Sequence, residues 1–472
     1  MRETFIKRGI DMLFFRRIVR FLAVPLALLL LVSGISPVSE SRQKKLEAQL
    51  AAAVGQPFAP VFRFAIASDV HIKAEDDTNA ERFAKLFETA YRYSDTHPTY
   101  TSLDAVLLAG DNCNTGADEE YAILNRVVRE NLREGTQFVP IMGNHEFRVG
   151  GREGYARNMD TPLEVHVTVK GFHIIGMSPC SGKGGVRQTL QQVQWMYREL
   201  KKAQADDPER PIFTMQHGHI WHTVYVSRSW FTHASVPLHM VYSQFPQVVN
   251  FSGHSHGPVN NPLSIWQNSY TLAGAGTMNY FEMEEDVTDE TVPDDAENAA
   301  QYTIVEVDAQ NRVRMLPFNI LTEDFIKTPA TTDDPDQQLI RQIDVPSDPS
   351  SFVYTSARRK TAGKPWFADN AAVTVDAAAD SATVTFDRAE DNECVYAYKI
   401  EIFAAENAKE AVAAKNVYCA YYIEPTPAKQ SCTLEGLLPG KAYTVCVTPM
   451  NVWMQAGEPI RAAFTTADSD KS

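Results

Sequence analysis

Apolar and polar positions divide the chain into three regimes. The first is an unbroken apolar run, Phe21–Ile35, preceded by Arg2, Lys7, Arg8, Arg16, Arg17 and Arg20. The run is shorter than the ~20 residues that span a bilayer, so residues 1–36 are expected to be a signal peptide and no stable membrane span is expected. The polar, Ala-rich stretch Ser41–Ala53 then predicts a helical lead-in over residues 37–58.

In the second regime, residues 59–321, short apolar runs alternate with stretches of helical period. Val61–Ala67 predicts a buried strand, and Thr78-x-x-Glu81 predicts a capping box opening a helix with Phe83, Leu86, Phe87 and Ala90 on one face. Ala105–Ala109 repeats the plan, followed by Tyr121, Leu124, Val127, Val128 and Leu132 at helical spacing. A third strand, Phe138–Met142, precedes a hairpin of Glu164–Val169 and Phe172–Gly176 around Lys170-Gly171. A helix carrying Leu190, Val193, Met196 and Leu200 is capped by Thr189 and Gln192, and Pro211–Met215 and Val248–Phe251 are further strands. Ser269–Ala273, Tyr302–Val307 and Val313–Phe318 complete the set, with an acidic insertion, Glu282–Glu297, expected to be a solvated loop.

The third regime has strands without helices. Residues 322–366 are rich in Pro, Asp, Thr and Ser and predict a connector. Residues 367–468 then offer Ala382–Phe386, Val395–Phe403, Cys432–Leu434, Tyr443–Val447 and Ala462–Thr465. Tyr443, Val445 and Val447 share one parity with Leu434 and Cys432 on the inward side, which leaves Cys446 outward.

Composition narrows the field. The chain has 472 residues, 44% hydrophobic and 22% charged, enough for two to three ordinary domains. Its net charge of −15 argues against duplex nucleic acid or an anionic lipid surface as the main partner. Of 6 cysteines, Cys394, Cys419, Cys432 and Cys446 crowd the third regime. An oxidising compartment would permit disulfides among these four, in any of their connectivities. No Cys-x-x-Cys pair supports a thiolate zinc site.

Candidate chemistry sits at the ends of the strands. Asp69 and His71 follow the first, and at positions i and i+2 of an extended segment they can reach one ion together. Asp111 follows the second, Gly143-Asn144-His145-Glu146 the third, and His217 and then His254 and His256 follow two later strands. In sheets alternating with helices, sites form outside the carboxyl ends of strands. His219 and His222 lie close enough in sequence to line such a pocket. Glu146 suits the orienting of a neighbour better than ligation, and Cys113 suits packing.

This order of motifs, Asp-x-His, Gly-Asp, Gly-Asn-His-Glu, a lone His and Gly-His-x-His, resembles the calcineurin-like metallophosphoesterase superfamily over roughly residues 60–320. The resemblance implies an α/β (α+β) fold, a β-sandwich flanked by helices, and two divalent or transition metal ions (zinc, iron, manganese or cobalt). Asp69, His71, Asp111 and His256 would hold one ion, and Asp111, Asn144, His217 and His254 the other, with Asp111 bridging. A hydroxide between the metals would attack a small-molecule phosphate ester, and protonated His145 would stabilise the oxygens or protonate the leaving group.

Purple acid phosphatases of the same superfamily carry Tyr where this chain has Asn114, and a fibronectin-like domain ahead of the catalytic one rather than behind it. The layout is more similar to exported bacterial enzymes of the class III cyclic nucleotide phosphodiesterase type, which slightly favours phosphodiesters. Leu438-Pro439-Gly440-x-x-Tyr443 resembles the Tyr-bearing turn of fibronectin type III modules, although Phe386 stands where many carry Trp. That resemblance implies a small all-β, immunoglobulin-like sandwich able to meet a cell surface or a protein partner. The alternatives are a phosphomonoesterase using the same site and a non-catalytic surface binding protein.

Overall fold

A computed structural model describes residues 57–469 except 286 and 289. The expected signal peptide and nearly all of the expected helical lead-in lie outside the described residues. Among the described residues no helix is long and apolar enough to cross a membrane.

The strand β1 (Pro60–Ala67) is central to the first sheet. It pairs in parallel with β2 (Ala105–Ala109), which pairs in parallel with β3 (Gln137–Ile141). The helices α1 (Thr78–Thr96) and α2 (Asp118–Asn131) provide the crossovers. The second sheet begins with the hairpin β4 (Glu164–Val169) and β5 (Phe172–Met177). It continues in parallel through β6 (Ile212–Gln216), β7 (Val248–Ser252) and β9 (Thr271–Gly274), with β8 (Ile265–Gln267) antiparallel at its edge. The helices α4 (Leu190–Asp206) and α5 (Ser235–Tyr242) belong to this half, and a short α3 (Gly151–Asn158) precedes it. The strands β10 (Gln301–Asp308) and β11 (Val313–Asn319) return to the other side of β1, antiparallel.

The period-2 alternation of β1 explains the layering. Phe62, Phe64 and Ile66 pack between the sheets against Phe172, Phe213, Met215 and Phe251. Ala65 and Ala67 face Phe83, Leu86, Phe87 and Leu124 on the helices instead. Both faces are therefore apolar, the pattern of a covered parallel sheet.

The sequence-based elements hold with shifts of a residue or two, but three expectations change. Thr78 and Glu81 form no capping box: the helix is capped at Asp77, and the Thr78 N–H donates to Asp76 Oδ1 at 2.9 Å. The acidic insertion is not a solvated loop, because Phe281, Met283, Val287 and Ala296 are buried in the core of the C-terminal sandwich. The connector is folded. Within it β12 (Asp324–Phe325) and β13 (Arg341–Ile343) pair with β11, and buried Arg341 donates to the carbonyls of Val259 and Asn261. Weak periodicity here reflects short edge strands held by long-range bonds, which a local pattern cannot register.

The C-terminal module consists of a three-stranded sheet, β14 (Val373–Ala377), β15 (Ser381–Asp387) and β18 (Lys429–Glu435), and a four-stranded one. The latter runs β17 (Asn407–Tyr418), β16 (Val395–Ala404), β19 (Ala442–Asn451) and β20 (Ile460–Thr465). Tyr443, Val445, Val447, Leu434 and Cys432 face inward as expected, and the Leu438 N–H donates to Tyr443 Oη at 2.9 Å. Phe386 fills the core edge-on to Tyr398. Cys446, on the other face, is also buried, flanked in register by Glu401 and Arg461. All six cysteines are free thiols in this structure.

Candidate metal centre

Every sequence-derived ligand candidate arrives at one point between the sheets' carboxyl ends, but not on extended backbone. Asp69, His71, Asp111, His254 and His256 all have φ between 50° and 73°, in the left-handed region. Non-glycine residues adopt this region at a cost and hold it where surrounding structure demands it, most often at functional sites. The i, i+2 argument for Asp69 and His71 therefore reaches the right pairing by the wrong geometry. The strand stops at Ala67, and consecutive turns aim both side chains inward, with His71 Nε2 3.8 Å from Asp69 Oδ1.

The turns brace one another. The main-chain N–H groups of Asp69 and His71 donate to the carbonyls of Gly110 and Asp111. The His254 N–H donates to Asp69 Oδ2 at 3.0 Å, and the His145 N–H to Asp111 Oδ1 at 2.8 Å. Gly143 and Gly253 are required by this closeness: a Cβ on either would strike the carboxylate of Asp111 or Asp69. Buried Glu146 closes the frame, accepting from the N–H groups of Asn112 (2.7 Å), Cys113 (3.1 Å) and Gly143 (2.7 Å). Burial, then the nearby Asp111 charge, pushes its carboxyl up to about 7.

Two groups of donors lie side by side, with Asp111 Oδ2 3.8 Å from His71 Nε2. In one, the carboxylate of Asp69 and the ring nitrogens of His71 and His256 lie within 4.8 Å of one another; in the other, Asp111, His217 and His254 do. His256 Nδ1 is held by the Tyr280 carbonyl at 3.0 Å, which fixes its proton there and turns the Nε2 lone pair toward His71 Nε2, 3.2 Å away. His217 Nδ1 likewise donates to the Ala109 carbonyl at 2.8 Å. Its Nε2 then meets Asp111 Oδ2 and Asn144 Oδ1, each at 3.1 Å. Lone pairs aimed at lone pairs in a buried site need a cation between them. Only nitrogen and oxygen donors are present, which suits divalent or transition ions and not a thiolate-selected one.

Ionisation follows the same logic. Burial opposes charge on Asp111, but His217, His71 and His145 outweigh it and hold the carboxyl well below the usual range. Asp69 is lowered in the same way, burial being overcome by His256, His71 and His217. Burial alone would lower His217, yet Asp111 and Asp69 raise it to about 9, so a proton there answers the demand for positive charge. Burial dominates at His254, which falls well below its ordinary value, and at His256, which falls to about 4.

His145 stands beside this cluster, its ring edge-on to His71 at 4.3 Å. Nδ1 meets the Asn114 carbonyl at 3.0 Å, and Nε2 accepts from the Arg148 guanidinium at 2.8 Å. A guanidinium has only donors, so this imidazole is neutral. The proton expected on Nε2 is therefore absent in this arrangement. Burial, with His71 and Arg148 adding to it, lowers the ring to about 4 despite Asp111. The pocket roles considered for His219 and His222 also fail. His219 is buried between the hydroxyls of Ser252 and Ser255, and His222 faces a cavity of about 540 Å³ between the two modules.

Sequence reasoning missed Arg148, Trp230 and Tyr280. Trp230 packs edge-on against His254 at 4.9 Å, and Tyr280 stacks on His256 at 4.0 Å. None has a motif; Arg148 had one signal, its place three residues after His145.

Two braced carboxylates and inward-facing imidazoles thus meet at the strand ends of a two-sheet sandwich. Residues 62–258 match the family model of calcineurin-like phosphoesterases, a span that includes every ligand candidate. No curated protein matches the chain. Among solved structures, purple acid phosphatase PPD1 from yellow lupin (Lupinus luteus) seeds is 14% identical, with a TM-score of 0.41. That match covers 57% of this chain and 53% of the phosphatase, so the chain spans about half the length of that relative. PhoD is 11% identical, with a TM-score of 0.35, covering 56% of this chain and 67% of PhoD. The fibronectin type III domain of human contactin 1 is 22% identical, with a TM-score of 0.18, covering 23% of this chain and 85% of that domain.

Proposed function

We propose that the chain is an exported dinuclear-metal phosphoesterase acting on small-molecule phosphate esters, with diesters slightly preferred over monoesters. Residues 59–321 are the catalytic domain, 322–366 the connector and 367–468 the fibronectin-like domain, with 1–36 as the export signal. The observation that carries this reading is the meeting of His217 Nε2, Asp111 Oδ2 and Asn144 Oδ1 around one point, beside the inward pair of His71 and His256.

Two ions, of zinc, iron, manganese or cobalt, supply Lewis acidity and a water of lowered pKa for in-line displacement when bound. Asp69, His71 and His256 would hold one, Asn144, His217 and His254 would hold the other, and Asp111 would serve both. Main-chain bonds to both carboxylates and to the outer nitrogens of His217 and His256 keep these donors aimed before substrate arrives. An entering phosphate is a stronger acceptor for Arg148 than an imidazole. Its arrival draws the guanidinium off His145, and the phosphate's negative charge favours a proton on Nε2. His145 then delivers that proton to the leaving oxygen.

The test is turnover of bis-p-nitrophenyl phosphate and p-nitrophenyl phosphate by purified protein supplied with manganese or zinc. Turnover abolished by Asp111→Ala is expected. No turnover of either ester by the wild type overturns the reading and favours a binding protein.

A further inference from the structure

The segment between β9 and β10 leaves the metal centre and packs Phe281, Met283 and Val287 into the core of the C-terminal sandwich. Tyr280 lies on the His256 ring, and two residues later the Glu282 N–H donates to the His256 carbonyl at 3.1 Å. The Glu282 carboxylate lies close enough to Trp230, which packs against His254, for the indole to favour its charged form. Tyr280 and Trp230 are both half-buried, so each leaves ring surface open. The segment thus binds an aromatic residue to each histidine of the Gly-His-x-His motif.

Side chains of the sandwich, with Tyr225 of the first domain, help to hold this segment. Met283 Sδ accepts from Tyr225 Oη at 3.3 Å, and Tyr225 Oη meets Tyr396 Oη at 3.1 Å. Tyr418 Oη donates to the Glu284 carbonyl, and Asn416 Nδ2 to the Val287 carbonyl at 2.9 Å. Phe281 packs edge-on against Tyr422 at 5.5 Å. Between Tyr280 and Val287 these sandwich side chains act beside bonds from the segment's own neighbours: the Phe281 and Met283 N–H groups donate to the Ala296 and Thr291 carbonyls, and the Glu284 N–H to Tyr225 Oη.

We propose that the C-terminal sandwich completes the active centre, holding Tyr280 and Trp230 as an aromatic wall that selects phosphate esters with a planar, aromatic leaving group. The inference rests on the phosphoesterase reading and adds to it a substrate class and a task for the second domain. Tyr280 and Trp230 are specificity residues that would touch the leaving group. Met283 and Asn416 are positioning residues that act through them.

Binding to the metal-loaded, full-length protein separates this claim from catalysis. Calorimetric titration with phenylphosphonate and n-butylphosphonate compares a planar with a flexible group on the same charged head. Phenylphosphonate is expected to bind wild type more tightly, and Tyr280→Ala or Trp230→Ala to weaken it about tenfold with n-butylphosphonate nearly unchanged. Tyr280→Phe should retain the preference. Met283→Ala should lose several-fold of the same preference at undiminished metal content, with Met283→Leu restoring it. Asn416→Ala, which removes one bond at the surface of the sandwich, repeats the test should Met283→Ala not fold. Equal affinity for both phosphonates in wild type, or a preference that survives all four truncations, overturns the inference. Failure of wild type to bind either phosphonate instead overturns the phosphoesterase reading beneath it.

Discussion

Removing the carboxylate of Glu146 should unfasten the metal centre without touching a candidate ligand. Its oxygens accept three main-chain N–H groups, from Asn112, Cys113 and Gly143, and so tie the turn carrying Asp111 to the turn carrying Asn144. Each buried N–H left without a partner costs about 1–3 kcal/mol, so Glu146→Ala should cost at least ~3 kcal/mol. Against this stands the cost of burying a charge. The carboxyl titrates near 7 rather than its ordinary 4.5, so the folded state prefers it protonated. The associated stability is fully present below about pH 4.5 and is lost as pH rises through about 7, a change of ~3 kcal/mol. Glu146→Gln removes that titration but presents an amide donor to one N–H, so it should cost less than alanine. Urea unfolding of metal-free protein at pH 5 and pH 8 measures all of this. Alanine should be the least stable at both pH values, and wild type should lose ground to glutamine as pH rises. An alanine variant within 1 kcal/mol of wild type, or a wild type that gains on glutamine at high pH, would refute the reasoning.

His145→Ala should lower turnover by about 10²- to 10⁴-fold with metal content nearly intact, whereas His254→Ala should lose metal; elemental analysis beside kinetics separates the two roles. Tyr443→Phe removes the acceptor of the Leu438 N–H and should cost about 1 kcal/mol of stability, read by urea unfolding, with unchanged esterase kinetics.

The candidate site was legible in the sequence because its residues follow apolar strands, and parallel strands place their ends together whatever the loops do. Asp69, Asp111, Asn144, His217, His254 and His256 were found from that placement. The left-handed backbone of Asp69, Asp111, His254 and His256 was not, since few non-glycine residues adopt it and nothing local announces it. The acidic segment misled for a related reason. Its charges suggested solvent, while Phe281, Met283 and Val287 were few and spaced to suit a neighbouring domain rather than a helix or strand of their own. Arg148, Trp230 and Tyr280 acquire meaning only from what they touch. The fibronectin-like turn was readable because Tyr443 and Leu438 lie five residues apart, within the reach of a local pattern.

The central claim is a site for two ions bridged by Asp111. Chelated, metal-free protein titrated with manganese or zinc while bis-p-nitrophenyl phosphate hydrolysis is followed tests it directly. Activity should rise to a plateau at two ions per chain and never appear in Asp111→Ala. A plateau at one ion per chain, or hydrolysis undiminished by chelation, would contradict it.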